Sequence, residues 1–176
     1  MELKKYTQAE FDAIPVDENG IRHCPTGDYT AIDRFGVHCS FGVDCSFGAA
    51  CRFDAGCSFG EGCRFGAACS FGVACSFGEG CRFGAACRFG AHCICEFGQF
   101  VSMLSAGGFG SQGRTTYFFL LPDGRICVRC GCFGGTLDEW AAKVKKTHGD
   151  SYIARAYLLL IPAVKTQFEM GGFCNG

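Results

Sequence analysis

The chain has 176 residues and a formal net charge of −1, so electrostatics give no reason to expect a nucleic-acid partner or an anionic membrane surface. No apolar run reaches the roughly 18 residues of a transmembrane helix, and the first residues lack the apolar core of a signal peptide. We therefore expect a cytoplasmic protein without membrane contact, in which the 16 cysteines are reduced thiols.

Residues 1–20 are predicted to form an N-terminal cap. The stretch Thr7-Gln8-Ala9-Glu10 has the spacing of a capping box, which satisfies free amides at the start of a helix, and the apolar Phe11 follows it. We expect this short helix to cover the open end of the segment that follows, because an uncovered solenoid end exposes strand edges and apolar rings.

A six-residue repeat occupies the middle of the chain and determines the predicted fold. Its unit is Cys-x-Phe-Gly-x-x, and longer identical stretches recur after 18 residues, as at Phe47, Phe65 and Phe83. We interpret 18 residues as one turn of a triangular coil with one hexad per side, so that equivalent residues stack at the strand spacing of about 4.8 Å. The repeat cysteines are Cys39, Cys45, Cys51, Cys57, Cys63, Cys69, Cys75, Cys81, Cys87 and Cys93.

Strand alternation assigns the inside and the outside of this coil. The Cys and Phe of one hexad are two residues apart and point inward together, whereas the Ser or Arg between them faces water. The Gly after Phe suits a corner that needs an unusual φ angle or a close approach of two backbones. With a two-residue insertion at about residue 94, the pattern predicts a solenoid of five coils over residues 21–112.

Three roles are open for the stacked cysteines. They can be small buried apolar residues, stacked pairs such as Cys57 and Cys75 can form disulfides, and a thiol column can hold a soft metal. Because the cysteines occur at every hexad instead of at one site, we favour the first role and expect no cofactor.

The outward positions supply the candidate binding residues. One column holds Ser40, Ser58, Ser76 and Ile94, a flat strip that suits a homo-oligomer or partner interface. The other candidates are the outward arginines Arg52, Arg64, Arg82 and Arg88. The alternative for both sets is an ordinary solubilising surface.

The Cys-x-Phe-Gly unit resembles the hexapeptide repeat of left-handed parallel β-helix proteins, with Phe35, Phe41 and their successors in the aliphatic position of that repeat. The resemblance implies a left-handed coil. It also implies an alternative function, because many members are acyltransferases that use acyl-coenzyme A and a histidine base, here His92. A zinc site of three histidines, known on the same fold, is disfavoured because His38 and His92 are three coils apart.

Residues 113–176 are predicted to form a ββαα module. A hairpin of strands 115–121 and 125–133 precedes a helix opened by the capping box Thr136-Leu137-Asp138-Glu139, and Pro162 is expected to kink or end the second helix. The basic run is interpreted as the solvated face of the two helices, with a phosphate or nucleotide contact as the alternative; it consists of Lys143, Lys145, Lys146, His148 and Arg155. The stretch from Arg129-Cys130-Gly131-Cys132-Phe133 to Thr147-His148-Gly149-Asp150 resembles a module of small proteins encoded by bacteriophages and their bacterial hosts.

A zinc site is a further hypothesis for the C-terminal module. Cys127, Cys130 and Cys132 offer one Cys-x-x-Cys pair, and His148 or Cys174 could complete four ligands. A strong zinc signature needs two such pairs, and Cys127 points away from the other two in a strand, so we favour buried strand thiols without a metal.

The sequence thus predicts a mainly β protein: a triangular, left-handed parallel β-helix with a small C-terminal ββαα module. No nucleophile, base and orienting partner converge, so we expect a non-enzymatic binding protein instead of an enzyme. We expect a rigid scaffold that engages a host protein or itself as a homo-oligomer in the bacterial cytosol, as a phage-encoded inhibitor or anti-defence factor. The alternatives are the acyltransferase, a sponge for a nucleotide signal, and a structural component of the virion.

Overall fold

A computed structural model describes residues 2–109 and 113–171, which form two compact units, Met1–Gln99 and Phe100–Gly176. The prediction of a mainly β protein with a parallel solenoid and a C-terminal unit of sheet and helices is confirmed. In the first unit the elements are α1 Gln8–Asp12, β1 Arg22–Cys24, β2 Asp28–Tyr29, β3 Arg34–Phe35, β4 Cys39–Phe41, β5 Ser46–Phe47, β6 Arg52–Phe53, β7 Ser58–Phe59, β8 Arg64–Phe65, β9 Ser70–Phe71, β10 Ser76–Phe77, β11 Arg82–Phe83, β12 Arg88–Phe89, β13 Ile94–Cys95 and β14 Gly98–Gln99. In the second unit they are β15 Ser102–Phe109, β16 Arg114–Leu120, β17 Ile126–Cys130, β18 Phe133–Thr136, α2 Leu137–His148 and α3 Tyr152–Gly171.

The solenoid has three parallel sheets, which the chain visits in turn, so that its cross-section is triangular over about four turns. Sheet 1 has the order β1-β4-β7-β10-β13, sheet 2 has β2-β5-β8-β11, and sheet 3 has β3-β6-β9-β12. Partners are 18 residues apart, as Ser58 and Ser76 are, except at β1, where Arg22 pairs with Cys39 across 17 residues. The 18-residue period of the sequence is therefore one turn of the chain.

Phenylalanine rings fill the solenoid interior in three columns. Rings in one column, such as Phe53 and Phe71, stack with centroids 4.6–5.3 Å apart and interplanar angles of at most 11°. Rings of different columns meet edge to face, as Phe59 and Phe65 do at 4.9 Å and 90°. Each such aromatic pair stabilises a core by about 0.5–1.5 kcal/mol beyond the apolar area that it buries.

The corners use two different properties of small residues. The residue before each repeat cysteine has a positive φ, between 53° and 73°, and it is Gly, Ala, His or Asp. The Gly after Phe has no positive φ; instead, a Cβ on Gly66 would lie 2.5–2.6 Å from backbone atoms of Gly48 and Ala49 in the preceding turn. Of the two reasons expected for that glycine, close backbone approach is the one that applies.

The N-terminal segment covers the first turn of the solenoid. The Tyr6 ring stacks on Tyr29 at 4.7 Å, and the Phe11 ring of α1 contacts Phe35 edge to face at 5.1 Å. Backbone hydrogen bonds of 2.8 Å join Asp28 to Lys4 and Tyr6, so the edge of sheet 2 is paired. The capping box of Thr7 and Glu10 is present and begins α1.

The solenoid ends earlier than the sequence suggested. The expected boundary at residue 112 and the fifth coil are not found, because Ile94 and Cys95 of β13 turn back and pair antiparallel with Gln99 and Gly98 of β14. The two-residue insertion is thus the start of a hairpin instead of a shift in the repeat. The following strand, Ser102–Phe109, belongs to the second unit.

The second unit is a four-stranded antiparallel sheet, in the order β15-β16-β17-β18, with α2 and α3 packed on one face. Its core contains Phe118 and Val128 from the sheet, Trp140 from α2 and Tyr157 from α3. The expected hairpin and the capping box of Thr136 and Glu139 are present. The unit has two strands, β15 and β18, beyond the predicted ββαα module. The glycine-rich β15 pairs with β16 instead of joining the solenoid, and the chain turns at residues 131–132, within the strand predicted over 125–133.

Pro162 was expected to kink or end the last helix; it does not end it, since α3 continues through it from Tyr152 to Gly171. Pro162 is exposed, so its ring lies on the solvent side of the helix. Val164 and Phe168 beyond it are buried in the same core as Tyr157, and this packing outweighs the hydrogen bond that a proline cannot make.

Candidate binding surfaces and pocket

The serine column lies on sheet 1. Ser40, Ser58, Ser76 and Ile94 are consecutive partners across parallel strands, which places them in one line along the solenoid. The serines are half-buried and Ile94 is 47% exposed. The line is therefore flat and weakly polar, and it ends in one exposed apolar side chain.

The outward arginines lie on the other two faces. Arg64 pairs with Arg82 on sheet 2, and on sheet 3 Arg52 and Arg88 lie on either side of Ser70. Sheets 2 and 3 meet at a corner made of exposed alanines, which we call the alanine edge: Ala49, Ala50, Ala67, Ala68, Ala85 and Ala86. The four arginines thus flank one edge of small residues.

These arginines are available to a partner. In residues 2–109 and 113–171, none of Arg52, Arg64, Arg82 and Arg88 makes an ion pair or side-chain hydrogen bond within the chain, and all four are exposed. Acidic side chains concentrate on a different corner, between sheets 1 and 2, which we call the acidic edge: Asp44, Glu61 and Glu79. The solenoid surface is therefore segregated by charge although its net charge is small.

The two repeat histidines occupy equivalent positions on the corner between sheets 3 and 1. His38 lies over Gly56, whereas Nε2 of Gln99 is 3.1 Å from Nδ1 of His92, so a hydrogen bond holds the His92 ring at the end of the solenoid. Both are exposed and have positive φ. The structure does not bring His38 and His92 together.

The repeat cysteines form three columns, buried except at the half-buried Cys87, and beyond Cys39 their thiols donate hydrogen bonds to backbone carbonyls of the preceding turn. Cys63 Sγ is 3.3 Å from the Gly42 carbonyl oxygen, and Cys69 Sγ is 3.3 Å from that of Gly48. Hydrogen bonding to Cys63 and then burial raise the pKa of Cys45. The hydrogen bond to Cys45 lowers the pKa of Cys63, but the one to Cys81 and burial outweigh it and raise that pKa to about 12. The Cys45 and Cys63 thiols are therefore protonated at neutral pH.

The second unit contains a pocket of about 290 Å³. It lies between the start of β16, the turn from β17 to β18, the C-terminal half of α2, and α3. Its lining includes Arg114, Lys143 and His148 together with the rings of Trp140 and Tyr157. The sequence offered a phosphate contact for Lys143 and His148 as an alternative, but it did not predict that Arg114 and the two rings lie beside them.

The structure places three of the candidate zinc ligands at the pocket and a fourth, Cys127, elsewhere. Cys130, Cys132 and His148 all line the pocket, but the buried Cys127 does not. Cys130 Sγ accepts a hydrogen bond of 3.2 Å from Thr116, and Cys132 is exposed in the turn. Cys174 lies outside the described residues, among which no three His, Cys, Asp or Glu side chains converge to hold a metal ion.

The cysteine spacing of the solenoid is shared with a known family of modules. A family model described as an RNA-binding, Nab2-type zinc finger matches residues 34–48, 50–66, 63–78, 68–84 and 80–94. The chain is similar to a CCCH-type zinc-finger repeat over this stretch, about a third of its length. No curated protein and no solved structure matches the chain.

The matched residues do not fit a zinc ion. A CCCH finger needs three thiolates and one imidazole around a single metal at about 2.0–2.3 Å. Here the matched thiols point inward and donate to backbone carbonyls, whereas His38 and His92 lie outside on exposed corners. The similarity therefore follows the cysteine spacing and not a set of converging ligands.

Sequence reasoning missed the pocket because its lining comes from five separate elements. One signal was available within α2, where Trp140, Lys143 and Thr147 are spaced by three and four residues and so share a helix face.

Among the described residues, no helix is long and apolar enough to cross a membrane.

Proposed function

We propose that this chain is a non-enzymatic binding protein whose solenoid is a rigid scaffold for a protein partner. The observation that carries the proposal is the set of four exposed arginines without partners in the described chain, fixed in register on both sides of the alanine edge. Parallel strands and stacked rings hold the backbone under these side chains, so little order is lost when they bind. Small residues on the edge between them let another surface approach closely.

The charge of these faces favours a partner with an acidic surface. Arginine forms bidentate hydrogen bonds with carboxylates and is enriched in protein interfaces.

The resemblance of the C-terminal unit to small proteins of bacteriophages suggests that this partner is a host protein, which the chain would inhibit as an anti-defence factor. We also propose that the solenoid is related to the hexapeptide-repeat left-handed β-helices. Its three sheets and its 18-residue turn support this relationship.

RNA binding is the second candidate, because the family match is to an RNA-binding module. Two features count against it. Single-stranded RNA is commonly bound by aromatic rings that stack on bases, but the phenylalanines of the matched stretch are buried or half-buried. The acidic edge also borders sheet 2 and would repel phosphates near Arg64 and Arg82.

The test compares two variants with the same change in charge. In the first, Arg52, Arg64, Arg82 and Arg88 are replaced by glutamine; in the control, the exposed Lys145, Lys146, Arg155 and Lys165 of α2 and α3 are replaced instead. We expect a cross-linked bacterial protein to be captured by the wild type and the control, and its affinity to fall at least about tenfold in the arginine variant. Equal capture by all three proteins would contradict the proposal.

RNA binding is measured with the same proteins by fluorescence anisotropy of labelled single-stranded RNA. We expect no binding at physiological salt. Binding that weakens with salt and is lost only in the arginine variant would replace the protein partner with RNA, because counterion release makes phosphate contacts salt-dependent.

The serine column is proposed as the face for self-association. Ser58 lies at its middle, between Ser40 and Ser76, so Ser58→Arg would place a charge in the centre of the contact. We expect the wild type to sediment as an oligomer and Ser58→Arg as a monomer, with Arg52→Ser on sheet 3 as the control. An identical sedimentation profile for Ser58→Arg and the wild type would exclude this face.

A further inference from the structure

The pocket of the second unit has the chemistry of a ligand site, and nothing in the proposed role of the solenoid uses it. Arg114 enters it from β16, and Lys143 and His148 enter it from α2. The lining formed by described residues includes no aspartate or glutamate. A cavity lined by an arginine, a lysine and a histidine favours an anionic ligand, because the guanidinium and ammonium groups donate charge-assisted hydrogen bonds to phosphate and carboxylate oxygens.

The space for the Arg114 side chain depends on Gly131. The turn between β17 and β18 has Gly131 at its first central position with φ +60°, and the guanidinium of Arg114 lies where a side chain on Gly131 would be. Cys130 and Phe133 pair across this two-residue turn, which fixes its position at the rim. Gly131 therefore provides both the turn and the space for the cation.

The apolar wall is also fixed. Tyr157 and Trp140 pack edge to face with centroids 5.6 Å apart, and the Tyr157 hydroxyl donates a 3.3 Å hydrogen bond to the Phe109 carbonyl oxygen. The Trp140 side chain is only 2% exposed, and Phe133 adds a third ring to the lining. Aromatic walls of this kind accept a planar ring by stacking or edge-to-face contact.

We propose that this pocket binds a small organic anion that carries an aromatic ring. The phosphate or carboxylate would lie between Arg114 and Lys143, and the ring would lie against the half-buried Phe133, with the buried Trp140 and Tyr157 completing the wall. The volume of about 290 Å³ is at the lower end of the range for ligand pockets, which limits the ligand to about the size of a mononucleotide. Nucleotides and aromatic carboxylates share this chemistry, and the probes below distinguish them.

The chain offers a direct readout, because Trp140 is its single tryptophan and lines the pocket. Tryptophan fluorescence of the full chain is titrated with AMP, phenyl phosphate and benzoate, and with adenosine and inorganic phosphate, each of which lacks half of the proposed ligand. We expect saturable changes with at least one of the first three probes, at an affinity at least about tenfold higher than that of adenosine or phosphate. Preference for AMP over benzoate identifies a nucleotide site, and the reverse identifies an aromatic carboxylate site.

Matched variants assign the binding to the pocket. Arg114→Gln and Lys143→Gln should each weaken the binding about tenfold or more, whereas Lys146→Gln, on the same helix and outside the pocket, should leave it unchanged. Lys143 is exposed, so its variant tests the proposal even if Arg114→Gln fails to fold. The proposal is overturned if no probe gives a saturable change up to millimolar concentration, if adenosine binds as tightly as AMP, or if Lys146→Gln weakens binding as much as Lys143→Gln.

Discussion

Alanine in place of Gly66 should strongly destabilise the solenoid, although it adds only one methyl group. The Cβ of that alanine would lie 2.5 Å from the amide nitrogen of Ala49 and 2.6 Å from the carbonyl carbon and oxygen of Gly48. All three are backbone atoms of the preceding turn, and the Gly66 amide itself donates a 3.1 Å hydrogen bond to the Phe47 carbonyl oxygen. The clash can be relieved only by separating two hydrogen-bonded turns.

Gly36 provides a matched control, because it occupies the same position of the motif in the first turn. Nothing lies within 4 Å of a Cβ built on Gly36, and its φ is not positive. An open groove of about 400 Å³ borders Gly36 and Val37. Asp54 occupies the same position one turn after Gly36, so a side chain is tolerated there.

The two substitutions should have different effects on the free energy of unfolding: Gly66→Ala should lower it, and Gly36→Ala should leave it unchanged or raise it slightly. Overpacking against a fixed neighbour costs about 1–3 kcal/mol or more, and contacts about 1 Å too short with backbone atoms place Gly66→Ala at the upper end of that range. Gly36→Ala should be neutral or stabilising by about 0.4–1 kcal/mol, because alanine loses less backbone entropy on folding.

Urea unfolding followed by far-UV circular dichroism measures these free energies in the presence of a thiol reductant. Fluorescence would not serve, since the single tryptophan lies in the other unit. The reasoning is refuted if Gly66→Ala unfolds at the same urea concentration as the wild type, or if Gly36→Ala loses as much stability as Gly66→Ala.

Three further predictions concern the interior of the solenoid. Phe71→Ala removes a ring stacked 5.0 Å from Phe53 and 5.1 Å from Phe89 and should cost about 3–5 kcal/mol in the same urea assay; a loss below about 1 kcal/mol would show that the columns are loosely packed. The raised pKa values of Cys45 and Cys63 mean that the folded state binds their protons more tightly than the unfolded state. The stability that these two thiols contribute should be complete below about pH 8.5 and should fall as the pH rises toward the folded pKa, about 12 for Cys63, by at most about 1.4 kcal/mol per pH unit for each thiol. Unfolding measured from pH 7 to 11 checks this, and Cys63→Ala should reduce the slope. Finally, EDTA should leave the circular dichroism spectrum and the melting temperature unchanged, whereas a chelator-induced loss of structure would show that the matched cysteines bind zinc after all.

The solenoid was largely predictable because its signal is repeated. Each hexad alone is a two-residue strand and a corner, too short to be recognised, but the 18-residue recurrence of Phe47, Phe65 and Phe83 defines the turn. The columns of serine and arginine follow from that period. The positive φ at residues such as Ala68 and Ala74 was not predictable from residue type, because alanine rarely adopts it and only the closed turn imposes it.

The second unit was only partly predictable because it does not repeat. Local signals located the hairpin and the capping box at Thr136 correctly. The strand Ser102–Phe109 was assigned to the solenoid, since its partner β16 begins beyond it in the chain and glycine spacing alone cannot show pairing. The pocket was missed because Arg114, Cys132, Lys143 and Tyr157 converge only after the sheet and helices pack.

The sequence by itself determined the triangular solenoid, the inward direction of its cysteines and phenylalanines, and the columns on its surface, because all of these depend on a period and on strand alternation. Tertiary structure alone decided where the solenoid stops, why glycine follows phenylalanine, and which side chains form the pocket. These features depend on distances between segments far apart in the chain, and such distances are set by packing and not by local pattern.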